Sequence, residues 1–382
     1  MNGATAALNL TNVTGAVTVD LGAGDDLLTF KGSTLADSET SLDIQGGLGN
    51  DSINVSDVGA TGVIVVNGGV GNDNIKLTSI VADGNLTVDA GAGNNTVTLT
   101  TITGDNVNVT AGIGNDTIAL AGATVANLNV TTGLGNDKIK MSNVTVVNDT
   151  TVSNAVVIDA GIGHDTVTVS AVVADDLAIS LGLGNDNVVL SNLTLSDDLT
   201  INGGDGNNSV TVGGSASITV GDDVAVSLGV GNDHATLTNL TVTGAVDVDA
   251  GAGNDHVTIS SSILNGEVDI DLAAGNDALS LIALDIAGNL DVLLGLGNDR
   301  LTATNVSNDL DVTLNAGAGN DSITLNIFAA DELFADLGDG NDELRTIAGV
   351  ALATGIHVQG GAGKDRLVGA GSIASVLKDI VL

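Results

Sequence analysis

The chain has no cysteine, proline, tryptophan or tyrosine, and only three phenylalanines in 382 residues. Without cysteine there are no disulfides and no thiol chemistry, so rigidity has to come from packing or from bound metal. Pockets for sugars, bases and drug-like ligands draw on aromatic side chains, and a chain this poor in them is a poor host for one. Positive charge is also scarce: nine Lys and Arg stand against 47 Asp and Glu, for a net charge of −38. That balance argues against nucleic acid and anionic membrane surfaces, which need basic faces. No apolar run is long enough to span a bilayer, so no membrane insertion is expected. The start, Met1 to Leu10, has neither a basic leader nor a long apolar core and does not read as a Sec signal peptide.

What the chain does have is 43% hydrophobic residues, chiefly Val, Ile, Leu and Ala in short alternating runs. Acidic disordered chains lack such runs, so this one folds. A compact state with so much negative charge repels itself unless cations neutralise it.

Sixteen times the sequence writes a version of Gly-x-Gly-Asn-Asp followed by an apolar residue two places on, as in Gly47 to Asp51 with Ile53, Gly182 to Asp186 with Val188, and Gly317 to Asp321 with Ile323. The interval is mostly 21 or 22 residues, with Ala273 standing once for the first Gly. A fixed period of that size marks a solenoid, in which each repeat stacks only on its neighbours. The expectation is one continuous β-solenoid over residues 1–382, a rod of about seventeen coils.

The coil at Gly182 places apolar pairs at Val188 and Leu190, Leu193 and Leu195, Leu199 and Ile201, and the coil at Gly229 repeats those offsets. Period-two alternation means strand, and three pairs per coil mean three short strands facing a common interior. The fold class is all-β: a right-handed parallel β-helix of about 22 residues per coil. Asn143, Asn192, Asn239 and Asn305 fall at the bend between the first two strands. They either stack into an amide ladder or simply favour the turn. Extra residues near Lys31 to Thr40, Asn148 to Asn154 and Gly213 to Ser217 belong in surface loops.

The turn is where chemistry is expected. Two glycines in five residues let the backbone aim carbonyl oxygens at one point, and the closing Asp adds a hard anionic oxygen. Calcium takes six to eight oxygens of both kinds, whereas magnesium holds to stricter geometry and keeps its waters.

The turns resemble the Gly-Gly-x-Gly-x-Asp-x-apolar-x nonapeptide of the RTX (haemolysin-type) calcium-binding repeats, from about Leu21 to Leu367. That resemblance implies calcium between neighbouring coils, with the closing Asp as side-chain ligand. By position the ligands are Asp26, Asp51, Asp73, Asp116, Asp137, Asp165, Asp186, Asp233, Asp255, Asp277, Asp299, Asp321, Asp342 and Asp365. Asn95 and Asn208 replace it in two turns and put those sites in doubt. Typical members carry two motifs per coil, whereas one here implies a single calcium edge holding up to about fifteen ions, which would bring −38 to about −8.

One turn per coil also resembles the x-Gly-Thr-Gly-Asn-Asp repeats of ice-binding adhesins. There the residue between the glycines points outward, and Thr at that place orders water. Here the place holds Leu48, Val70, Ile113, Leu134, Ile162 and Leu296, which weakens ice binding. The apolar column implies lateral packing of rods instead. The final Asp379-Ile380-Val381-Leu382 resembles the end of type I secretion substrates, or is a last core strand.

His164, His234, His256 and His357 are scattered, and no cation repeats beside a carboxylate cluster, so an enzyme such as a polysaccharide lyase is not expected. The expected role is a calcium-stabilised bacterial extracellular structural protein in a filament, surface layer or matrix. The alternative is a rigid spacer of a larger adhesin. The chain shows no polar cap from Ala6 or over Ile373 to Leu382, so head-to-tail assembly is expected too.

Overall fold

The computed structural model describes residues 6–7, 15–35, 41–146 and 155–369, and no helix occurs among them. The chain falls into two compact units, Met1–Asn187 and Val188–Leu382. Each is a parallel β-solenoid. In the first, Ser52–Ala60 pairs with Asn74–Ala82, placing Ile53 beside Ile75 and Val55 beside Leu77; Thr96–Ile113 follows, with Val97 beside Ile75. In the second, His234–Val242 pairs with His256–Leu264 and that strand with Ala278–Ile286, stacking Ala235, Val257 and Leu279. Like side chains therefore stack along each unit's axis, and the interior is a set of aliphatic ladders.

The first two apolar pairs of a coil lie on two arms of one bent strand. In His234–Val242, Ala235, Leu237, Leu240 and Val242 are buried. Alternation breaks between the arms because Asn239 has φ 55°, a left-handed residue that turns the chain through a corner. Asp57, Ser79, Thr101, Asn143, Ala171, Asn192, Ser261, Ala283, Asn305 and Ile327 hold the same place with φ of 50° to 58°. The third apolar pair lies on a short strand such as Val246–Asp249, where Val246 and Val248 are buried.

The corner asparagines are therefore turn residues. The pairing registers set Asn143 between Gly122 and Ala171, and Asn305 between Ala283 and Ile327. With no amide above or below, no ladder forms there.

In three of the four 21-residue coils the second and third arms run on as one strand, Thr96–Ile113, Thr117–Leu134 and Ser322–Asp336, while the fourth breaks at Asp175 between Thr166–Ala174 and Asp176–Ser180. Three positions take the chain from Val125 to Leu128, where four take it from Ala82 to Leu86. The extra residues at Gly213 to Ser217 produce a register shift between Gly213 and Ile218 and lie largely at the surface, as expected of an insertion. Of the insertion at Lys31 to Thr40, Lys31 to Leu35 lie not in a loop but in the strand Leu27–Leu35, paired with Ser52–Ala60. Residues 36–40 and 148–154 of the other two insertions lie outside the described residues, as do Leu8 and the end segment Ile373 to Leu382.

Candidate metal centre

The closing Asp of each turn folds inward beneath it. Asp26, Asp51, Asp73, Asp116, Asp137, Asp165 and Asp186 form a column in the first unit; Asp233, Asp255, Asp277, Asp299, Asp321, Asp342 and Asp365 form one in the second. All but Asp365 are buried, with at most 4% of their surface exposed, and Asp365 is half-buried. One carboxylate oxygen has a constant partner. Asp51 Oδ1 accepts the backbone N–H of Asp26 at 2.8 Å, Asp186 that of Asp165 at 2.7 Å, and Asp299 that of Asp277 at 2.7 Å. Asp365 Oδ1 accepts from Asp342 at 3.1 Å.

The other oxygen is placed differently. Oδ2 of twelve buried Asp residues, Asp186 apart, is sealed from solvent without a hydrogen-bond donor, and at Asp26 Oδ1 is too. Its surroundings are acceptors: the position a Cβ would take on Gly46 is 2.9 Å from Asp51 Oδ2 and against the Gly68 carbonyl. A buried carboxylate oxygen without a donor is costly unless a proton or a cation arrives.

Beside the Asp column runs a second ladder in the opposite sense. Asn72 donates its backbone N–H to Asn50 Oδ1 at 2.8 Å, and Asn94 donates to Asn72 at 2.7 Å. Asn136 then accepts from His164, whose Nδ1 accepts from Asn185, both at 2.8 Å. His164 thus takes the asparagine's part in the ladder, with Nδ1 as the acceptor. In the second unit the amide groups also join: Asn276 Nδ2 donates to Asn254 Oδ1 at 3.0 Å and Asn298 Nδ2 to Asn276 Oδ1 at 2.9 Å. Sequence reasoning left the corner asparagines open as either an amide ladder or turn residues, and looked for a ladder nowhere else. The motif's own asparagine, present in nearly every turn, was the better signal.

No protein-family model matches the sequence, and no curated protein matches it. Among solved structures, the chain is similar to a hyperactive, Ca2+-dependent, β-helical antifreeze protein from an Antarctic bacterium, at 22% identity and a TM-score of 0.38, covering 90% of this chain and 83% of that one.

Two three-carboxylate groups lie elsewhere, Asp198 with Asp222 and Asp223, and Glu267 with Asp269 and Asp291. Five of these six side chains are exposed and Asp291 is half-buried. In the first, Asp198 accepts from the Asp223 backbone at 3.0 Å and Asp223 from Ala245 at 2.7 Å, which is the work of a corner. His234 and His256 stack with ring centres 5.0 Å apart, and His357 meets Glu332 at 2.8 Å at the surface.

Burial pushes up the column's carboxyls from Asp51 to Asp342, and the backbone hydrogen bond to each only partly opposes it. Asp165 and Asp277 rise to about 7, Asp233 and Asp321 to about 6, and neighbouring carboxylates add to each rise. A folded-state pKa above the unfolded value of 3.8 means that the folded chain holds the extra protons. Stability from this source is therefore complete below about pH 4 and lost as pH rises through about 6 to 7. Protein stripped of divalent ions is expected to hold more β-structure at pH 5.5 than at pH 8. With a hard cation in excess the trend reverses, since protons then compete with metal. Stripped protein with less β-structure at pH 5.5 than at pH 8 would contradict the buried placement of these groups.

Proposed function

We propose that the protein is a calcium-stabilised extracellular structural element rather than an enzyme, with calcium held along the Asp columns. The observation that carries this is the repeated Oδ2, buried without a donor among carbonyl oxygens. An all-oxygen set of carboxylate and carbonyl suits calcium. The side-chain ligands would be the thirteen buried Asp residues, with Asp365 as a more open site. When bound, calcium supplies positive charge between coils, and the chain's part is to hold the oxygens in register. Stacking brings the ligands together, so binding free energy becomes folding free energy. The millimolar calcium outside cells would keep many such sites filled, which favours an extracellular location.

Self-association is the second part of the proposal. In the first unit Ala23, Leu48, Val70, Ala92, Ile113, Leu134, Ile162 and Leu183 stack in one column along the turn edge. Leu48 is 58% and Ile113 61% exposed. The exposed Asn50, Asn72, Asn94, Asn115 and Asn136 flank them, so this strip stays largely uncharged on a chain of net charge −38. A second copy presents the same column at the same strand spacing of about 4.8 Å, and contiguous exposed apolar surface of this kind marks an interface. In the second unit the column is interrupted by Asp205 and Asp339 and has small Ala at 252, 274 and 318. Lateral pairing is therefore expected through the first unit.

The test is sedimentation and electron microscopy with calcium. Changing Leu48, Val70, Ile113 and Leu134 to Ser is expected to leave the circular dichroism spectrum intact and abolish side-by-side pairing. Pairing that persists in the folded variant would place the contact elsewhere, and a wild type that stays monomeric at high concentration would favour the adhesin-spacer role.

A further inference from the structure

Two of the sixteen turns end in Asn instead of Asp, and both set an amide donor against backbone carbonyls, where the buried Asp51 carries a bare oxygen. Asn95 sits in the ladder as an Asp does: its Oδ1 accepts the Asp73 backbone N–H at 2.8 Å, and its own N–H donates to Asp116 Oδ1 at 2.6 Å. Its Nδ2 then points at the turn's glycine carbonyls, 3.1 Å from Gly93 O and 3.5 Å from Gly91 O. Asn208 repeats this in the other unit, with Nδ2 3.4 Å from Gly204 O and 3.3 Å from Leu228 O.

The amide nitrogen occupies the place of the orphaned carboxylate oxygen. The Cβ position on Gly46, just before the turn at Gly47, lies 2.9 Å from Asp51 Oδ2 and against the carbonyl of Gly68. On Gly203, at the same place in its coil, it lies 3.3 Å from Asn208 Nδ2 and 2.8 Å from the Leu228 carbonyl. The network also fixes which amide atom is which. At Asn95 Oδ1 faces the Asp73 N–H and Nδ2 faces carbonyls, and a flipped amide would set like against like at both ends; at Asn208 a flip would set Oδ1 against two carbonyls.

In an Asp turn, carboxylate and carbonyl oxygens face one another, and only a cation or a proton reconciles them. In an Asn turn, the amide hydrogens do so. We propose that Asn95 and Asn208 close their turns with the side-chain amide in place of a metal ion, so that these two coil junctions take no calcium and hold without it. The proposal rests on calcium binding at the Asp turns. It makes the closing residue the determinant of which turns are metal sites, and it interrupts the column of the first unit between Asp73 and Asp116.

The experiment counts calcium ions on the full-length protein by native mass spectrometry, with circular dichroism as the check on folding. Asn95→Ala and Asn208→Ala are expected to bind as many ions as the wild type and to melt lower in calcium, having lost the amide. Asn95→Asp and Asn208→Asp are each expected to bind one ion more. Loss of an ion in either alanine variant would make the Asn a metal ligand and overturn the proposal. So would an unchanged count in the folded Asp variants, which remain informative even where an alanine variant does not fold. A wild type that binds no calcium overturns the calcium reading itself, and this proposal with it.

Discussion

Chelation of calcium at pH 7.5 is expected to abolish the cooperative β-fold, and added calcium to restore it. A site with free calcium at a hundred times its Kd contributes about 2.7 kcal/mol, and a whole domain is stable by only about 5–15 kcal/mol. Emptying a handful of the thirteen buried Asp positions is thus enough to exceed the margin, and it leaves carboxylates facing one another at successive coils. Far-UV circular dichroism with EGTA should show the β-signal lost, then regained with calcium and regained poorly with magnesium, which holds to stricter geometry and keeps its waters. An unchanged spectrum and melting temperature in EGTA would remove calcium from the account of this fold.

The second large effect requires no metal. Gly297 has φ 145°, and a Cβ placed on it would collide with the carbonyl oxygen of Gly275, the same turn one coil earlier. That oxygen belongs to backbone held on both sides by neighbouring coils, so neither partner can move aside. Gly297→Ala is expected to destabilise the second unit by about 4 kcal/mol or more, the range reserved for forced backbone and packing errors. Gly59 is the control: it has no left-handed φ and nothing within 4 Å of its Cβ position, so Gly59→Ala should be near neutral. Thermal melts in excess calcium decide the matter, and equal melting temperatures for the two variants would mean that the turns do not stack at this distance.

The winding was legible because stacking makes each requirement recur. The offsets of Val188, Leu190, Leu193, Leu195, Leu199 and Ile201 translate directly into six buried side chains. The glycines and the closing Asp recur for the same reason, and their column was readable as a candidate metal edge. The corner was less legible. It asks only for a residue that tolerates left-handed φ, and it accepts Asp57, Ala283 and even Ile327, so its occasional Asn suggested a ladder that does not exist. A ladder forms where consecutive coils each present an acceptor at the same place, as Asn50, Asn72 and Asn94 do. The division of labour within a carboxylate such as that of Asp51 or Asp299, one oxygen to a backbone N–H and the other without a donor, lies beyond sequence reasoning because it depends on the distance between coils.

The two ladders of the turn bear on how such a chain can change in length. The Asp ladder reaches back one coil and the Asn ladder reaches forward one, so each turn is keyed to both neighbours at once. An insertion or deletion inside the turn would break both keys. Length is therefore quantised: whole coils can be duplicated or lost, and single residues can enter or leave only at the corners, where the five-residue stretch Gly213 to Ser217 bulges and the register recovers by Ile218. Growth by duplication also copies the closing residue, so each added coil inherits from its parent whether its junction is built with an ion or with an amide.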